Sequence, residues 1–199
     1  MKIKNLSVVI LLCISATIFI FSGCSEKKQS VPSTTTAPTV KPYQATTQEI
    51  PSNNTANTAK FGASGASQEK QLTLEKMITY AIQDEFLARA EYEHIINKYG
   101  DVKPFANIIK AEESHIAMLK PLFGKYNFSV PVDNAKDHLI TPTDIKESLK
   151  TGVQAEIDNI AMYERFLKEP LNDDVKAVFT ELLNASKNHL EAFQKNLNK

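Results

Sequence analysis

Four segments of this chain have the apolar spacing of amphipathic helices, but their apolar stripes contain glutamate and histidine. Apolar residues alternate three and four apart, which places them on one face of a helix. Three glutamates and two histidines fall on these stripes, namely Glu85 in the first segment, Glu112 and His115 in the second, Glu156 in the third and His189 in the fourth. A buried carboxylate without a partner costs several kcal/mol or gives up its charge. Three such carboxylates on the inner faces of one bundle therefore indicate a cation among them.

The chain also contains an internal repeat. Residues 81–93 align without gaps to residues 152–164, and the alignment pairs Glu85 with Glu156. The second and fourth segments align in the same way and pair His115 with His189. Two helix pairs related by a pseudo-two-fold axis would bring these side chains together at the centre.

This pattern resembles a known superfamily. A Glu on one helix followed by Glu-x-x-His on the next is the arrangement by which some four-helix bundles hold iron or manganese. The stretch from Leu72 to Phe193 resembles the ferritin-like superfamily, the diiron bundles of rubrerythrin and bacterioferritin type. It most closely resembles the branch labelled domain of unknown function 2202, whose Ser-x-x-His on the last helix recurs here as Ser186 and His189. The resemblance does not extend to residues 1–71.

The resemblance implies a role for each residue of the pattern. Glu85 and Glu156 would be terminal ligands, and Glu112 would bridge two metal ions. Each ion would take one imidazole, from His115 or His189.

Three further residues adjoin this set. Tyr92 and Tyr163 lie two helical turns after the terminal glutamates, where the superfamily has tyrosines next to the ligands, although both are most simply core aromatics. Ser186 stands where the superfamily has a second bridging glutamate. Glu181 does not replace that glutamate, because it lies roughly 80° off the stripe. The second metal position therefore has fewer carboxylates than the superfamily supplies.

The N-terminal region is predicted to be a lipoprotein signal. Two lysines precede an apolar run at residues 6–21, and Ser22-Gly23-Cys24 follows as a lipobox-like sequence. After cleavage of residues 1–23, Cys24 would be lipidated and would anchor the protein to the extracytoplasmic face of the cell membrane. An uncleaved transmembrane helix is the alternative, since the apolar run is nearly long enough to span a bilayer.

The rest of the chain divides into a tether and one domain. Residues 24–71 are rich in Thr, Ser, Pro, Ala and Asn without an apolar period, and are predicted to be disordered. Residues 72–199 are predicted to form the domain. No cysteine follows Cys24, which excludes disulfides and thiolate metal sites from it. The formal net charge is zero and no basic cluster interrupts the helices, which argues against nucleic-acid binding.

The predicted fold is all-α, an antiparallel four-helix bundle of ferritin-like connectivity with a long crossover between the second and third helices. The helices are expected at residues 72–99, from Asp101 to 126, from Thr141 to before 170, and from Asn172 onward. Thr141 is expected to cap the third helix. Glu91, His94 and His138 lie off the stripes and are expected at the surface. Asp84, next to a ligand position, could orient a ligand imidazole, but it too is expected at the surface.

Two functions of different classes fit the pattern. The first is a membrane-tethered protein that binds Fe(II) or Mn(II) and reacts with oxygen or peroxide, in redox or iron-handling chemistry. Zinc would also bind such ligands. The chain supplies no electron-transfer centre, so turnover would require an external electron donor. The second is a non-enzymatic extracytoplasmic binding module with a structural or vestigial metal site. A homodimer is compatible with either function.

Overall fold

A computed structural model describes residues 60–199, and these residues form an all-helical bundle. Four long helices make up the bundle and a short helix precedes them: α1 (Gly62–Gln68), α2 (Leu74–Tyr99), α3 (Phe105–Lys125), α4 (Ile145–Phe166) and α5 (Asp173–Leu197). A 3₁₀ turn at Ala135–His138 lies between α3 and α4. The predicted signal, Cys24 and the tether up to residue 59 lie outside the described residues. No helix in the described region combines the length and apolarity needed to cross a membrane.

Each long helix lies against two of the other three. Helix α2 contacts α3 and α4, and α5 contacts α4 and α3. Short connections join α2 to α3 and α4 to α5, and residues 126–144 cross between the two hairpins. The two predicted hairpins and the long connection between them are therefore present, and the four helices surround one interior.

The starts of two helices differ from the prediction. Helix α4 is capped by Asp144, whose Oδ1 accepts a hydrogen bond from the Glu147 N–H at 2.8 Å. The Glu147 carboxylate in turn accepts from the Thr143 hydroxyl at 2.7 Å. The predicted cap at Thr141 is therefore wrong, because an acid with Glu three residues later satisfies the free N–H groups further along the chain. Helix α3 begins at Phe105 rather than at Asp101.

The apolar interior consists of two clusters. One cluster includes Tyr92, Phe105 and Phe193, and the other includes Tyr163 and Phe179. The Phe193 ring packs directly on a backbone glycine, since a Cβ built on Gly152 would lie 2.6 Å from that ring. Burying each aromatic side chain contributes roughly 2–3 kcal/mol.

The end of the predicted tether is part of the fold. Helix α1 buries two glycines and two alanines against the bundle. Its first turn is held by Asp84, whose Oδ1 accepts from the Ala63 N–H at 2.7 Å. Its last turn is held by Arg165, which donates to the Ala66 carbonyl at 2.6 Å. The prediction of disorder is therefore wrong for Gly62–Gln68, and so is the assignment of Asp84 to the surface. Small residues bury little apolar area and leave no apolar period, so this docking had no signal in the sequence.

Two other residues expected at the surface, Glu91 and His138, are partly or fully covered. The loop between α3 and α4 covers Glu91, and a residue before α1 packs on His138. Glu91 is 6% exposed, and its Oε1 accepts from the Ile140 N–H at 3.3 Å. Burial raises the pKa of Glu91 to about 7, although the Ile140 N–H opposes this shift. The His138 ring is half-buried and stacks on Phe61 with ring centroids 4.1 Å apart. Neither contact follows from helical periodicity, because both partners lie outside the four long helices.

The variant Glu91→Gln should be more stable than the wild type at alkaline pH. Because the folded-state pKa is raised from 4.5 to about 7, the wild type loses stability as the pH rises through that range. A shift of this size corresponds to roughly 3 kcal/mol, which a neutral side chain would recover. Urea unfolding near pH 5 and near pH 8 measures the difference. Glu93→Gln, on an exposed neighbour, is the control. Equal effects of Glu91→Gln at both pH values would contradict the buried carboxylate.

Candidate metal centre

The five predicted ligand residues meet in the interior of the bundle. Each of them is at most 9% exposed. His115 Nδ1 lies 3.0 Å from Glu85 Oε2 and 2.9 Å from Glu112 Oε2. His189 Nδ1 lies 3.3 Å from both Glu112 Oε1 and Glu156 Oε1. The centre therefore contains three carboxylates and two imidazoles from all four long helices.

Glu112 is shared between two groups of ligand-type side chains. The first half-site consists of Glu85, Glu112 and His115, and the second half-site consists of Glu112, Glu156 and His189. Within each half-site, one ligand atom from every residue lies within 4.8 Å of the others. Glu112 turns one oxygen toward each imidazole. Each group could hold a metal ion, with Glu112 between the two positions.

Local helix geometry explains why α3 supplies two members of the centre. Residues three apart lie on the same face of a helix, so Glu112 and His115 both point to the interior. The same spacing on α5 joins Ser186 to His189. Ser186 is 2% exposed, but its hydroxyl donates to the Leu182 carbonyl of its own helix at 3.0 Å. The hydroxyl is therefore engaged by the backbone.

Two tyrosines hold Glu85 and Glu156 in place by hydrogen bonds between α2 and α4. The Tyr92 hydroxyl on α2 donates to Glu156 Oε1 on α4 at 3.0 Å. The Tyr163 hydroxyl on α4 donates to Glu85 Oε1 on α2 at 2.8 Å. Both tyrosines are almost completely buried. The two bonds cross between the same two helices, which is the symmetry that the internal repeat predicts.

The electrostatics of the centre depend on His115. Burial alone would lower its pKa, but the bonds to Glu112 and Glu85 raise it to about 10. Burial raises the pKa of Glu85, but His115 outweighs this and the net shift is downward. Burial and then the charge of Glu85 hold the pKa of Glu112 well above its usual range. A protonated His115 thus neutralises part of the buried negative charge.

The second half-site differs, because its glutamate is less completely paired. Burial raises the pKa of Glu156, and the contact with His189 opposes this shift. Its Oε1 faces both Tyr92 and His189, whereas its buried Oε2 has no hydrogen-bond partner. A buried acceptor without a donor costs about 1–3 kcal/mol. Oxygen and imidazole ligands with one free carboxylate oxygen fit a divalent cation of the iron, manganese or zinc type.

A buried polar residue on α4, one turn after Glu156, was not singled out from the sequence. Asn159 is 7% exposed, and its Oδ1 has no hydrogen-bond partner. Its position on the buried stripe of α4 was visible in the heptad pattern, one turn after Glu156. The absence of a partner depends on the neighbouring helices and was not visible there.

Replacement of Glu112 by Gln should separate stability from metal binding. Because burial and Glu85 raise the pKa of Glu112, the chelator-treated wild type loses stability as the pH rises above the ordinary pKa of a glutamate. Glu112→Gln should therefore stabilise the chelator-treated protein near pH 8 more than near pH 5. Metal affinity should fall about tenfold or more, as it does for altered metal surroundings. Melting curves and metal titrations measure both effects.

The control for this variant is Glu113→Gln, because Glu113 is the exposed neighbour of Glu112 on the same helix. Glu113→Gln should change neither the stability of the chelator-treated protein nor the metal affinity. Loss of stability in Glu112→Gln with unchanged metal affinity would identify Glu112 as a purely structural residue.

The comparisons with known proteins give one family match and one relative of known structure. Residues 75–199 match the family described as an uncharacterized protein domain (DUF2202). Uncharacterized protein MJ0754 of Methanocaldococcus jannaschii is 30% identical over 131 residues, which are 58% of this chain and 70% of that protein. The crystal structure of hypothetical protein MJ0754 is similar with a TM-score of 0.56 at 27% identity, and the match covers 65% of this chain and 83% of that one. The family match covers α2 from its second residue, the whole of α3–α5 and all five clustered ligand-type residues, and the chain therefore belongs to the DUF2202 family.

Proposed function

We propose that the protein binds two divalent ions of iron or manganese between its four long helices and uses them in oxygen or peroxide chemistry. The observation that supports this most strongly is the sharing of Glu112 between two Glu/His groups. Bound iron or manganese would supply the redox steps that side chains cannot supply. The ferritin-like relationship is part of the same proposal, and the paired hairpins support it. Zinc would fit the same ligands without redox activity.

The protein side chains would orient the ligands and keep water away from them. The terminal glutamates Glu85 and Glu156 are each held by a tyrosine hydroxyl. Burial and the charge of Glu156 raise the pKa of Tyr92 well above its usual range, and burial and Glu85 do the same for Tyr163. Both hydroxyls therefore remain protonated and donate throughout the physiological pH range. The apolar residues packed beside the centre exclude solvent from it.

Metal binding would displace the proton that holds the centre together. His115 is protonated at neutral pH because its pKa is about 10, and an imidazole binds a metal only in its neutral form. The ion would take over the charge compensation that His115 provides to Glu85 and Glu112. We therefore infer that binding releases a proton and strengthens as the pH rises.

The proposed location is the extracytoplasmic face of the cell membrane, with lipidated Cys24 as the anchor.

The sequence contains no cysteine after Cys24 and hence no thiolate-bound redox centre beside the proposed metals. Sustained turnover would thus draw electrons from an external donor.

A second function is favoured by one specific observation. The protonated His115 already pairs with Glu85 and Glu112 without a metal. A helical binding module, with this network as a structural element or a vestigial site, would be held together in the same way.

Metal content and oxygen uptake distinguish the two functions. The full-length protein purified without chelator should contain about two ions per chain, as in dinuclear bundles. After anaerobic loading with Fe(II), it should consume oxygen or peroxide. His115→Gln should lose at least one ion, whereas His94→Gln, which alters a histidine of α2 outside the centre, should retain both. A protein that binds no metal and whose melting temperature does not respond to added Fe(II), Mn(II) or Zn(II) would support the binding module instead.

A further inference from the structure

The two halves of the repeat differ at a pair of positions that lie next to the glutamate and histidine of each half. The two helices of each pair run antiparallel. The position three residues after the glutamate on one helix therefore lies at the same level as the position three residues before the histidine on the other helix. In the first pair these positions are Ala88 and Glu112, and in the second pair they are Asn159 and Ser186. The second pair thus lacks a carboxylate on α5 and has a polar amide on α4 at the same level.

The amide oxygen of Asn159 has no partner within the protein. Among the described residues, two buried side-chain atoms lack a hydrogen bond, Glu156 Oε2 and Asn159 Oδ1. They belong to residues one turn apart on the same face of α4. The nearest candidate donor by register, the Ser186 hydroxyl, is bonded to the Leu182 carbonyl. A buried acceptor without a donor requires a positive group or a water molecule beside it, and the spacing on α4 allows one group to serve both oxygens.

We propose that Asn159 Oδ1 is an oxygen ligand of the cation in the second half-site, in place of the carboxylate that Ser186 does not provide. This inference rests on the proposed function. Amide oxygens bind hard divalent cations alongside carboxylates. With Asn159 in place of a glutamate, the second half-site keeps the same number of oxygen-donating residues but has one negative charge fewer. Three carboxylates do not neutralise two divalent ions, so the second half-site holds its ion more weakly than the first.

Co(II) titration of the chelator-treated full-length protein tests this assignment. Calorimetry gives the affinity of each ion, and the visible absorption of Co(II) reports the ligands around it without any enzymatic activity. The wild type should bind two ions with unequal affinities. Asn159→Ala should weaken the second ion about tenfold or more and alter its absorption spectrum, while the first ion stays within about twofold. Asn159→Asp, which restores the missing charge, should tighten the second ion.

The matched control is Ser186→Ala, which removes a hydroxyl at the same level that is already bonded to its own helix. It should leave both affinities unchanged. The melting temperature of chelator-treated Asn159→Ala should not fall, since the lost oxygen has no partner to leave behind. If that variant does not fold, Asn159→Asp provides the test, and an unchanged or weaker second ion would overturn the proposal.

Two failures can be told apart. If the wild type binds two ions and Asn159→Ala binds both with unchanged affinity and spectrum, the Asn159 assignment is wrong and a water molecule satisfies its oxygen. The proposed metal function would survive that result. If the wild type binds no Co(II), Mn(II) or Zn(II), the proposed function fails together with the assignment.

Discussion

The Glu112 carboxylate, with one oxygen turned toward each of two imidazoles, is the contact on which the centre depends. It is 2% exposed and lies close to two further buried carboxylates, so the bundle retains it either as the protonated acid or, as a carboxylate, with positive charge nearby. The protonated His115 provides that charge in the protein alone. Divalent cations would provide more of it, which makes the same contact the basis of the proposed function.

The internal symmetry places equivalent contacts around the buried carboxylates in both helix pairs. Tyr92 on α2 donates a hydrogen bond to Glu156 on α4, and Tyr163 on α4 donates one to Glu85 on α2, so the two glutamates are held at equivalent places. The ring pairs beside them are also repeated, with centroids 5.6 Å apart for Tyr92–Phe105 and 5.7 Å for Tyr163–Phe179. The two helix pairs differ at Asn159 and Ser186, which correspond to Ala88 and Glu112 in the first pair. We infer that this break makes the two metal positions chemically different and the second one more easily vacated.

The sequence was sufficient to predict the cluster of buried glutamates, because helical periodicity places side chains on faces and Glu85, Glu112 and Glu156 interrupt faces that are largely apolar. The same periodicity was sufficient to predict the two helical hairpins. Burial by irregular segments has no period, so the coverage of Glu91 by Ile140 and the docking of α1 on Asp84 were missed. The cap at Asp144 was missed because several residues before α4 could cap it, and only the path of the chain selects one.

The central claim is that the two half-sites share Glu112 and hold two ions. Anomalous diffraction from crystals soaked with Mn(II) tests it most directly. The account predicts two peaks inside the bundle, one next to His115 and one next to His189, with the Glu112 carboxylate in contact with both. Crystals in which no peak lies among these residues, or in which Glu85 or Glu156 points to solvent, would contradict it.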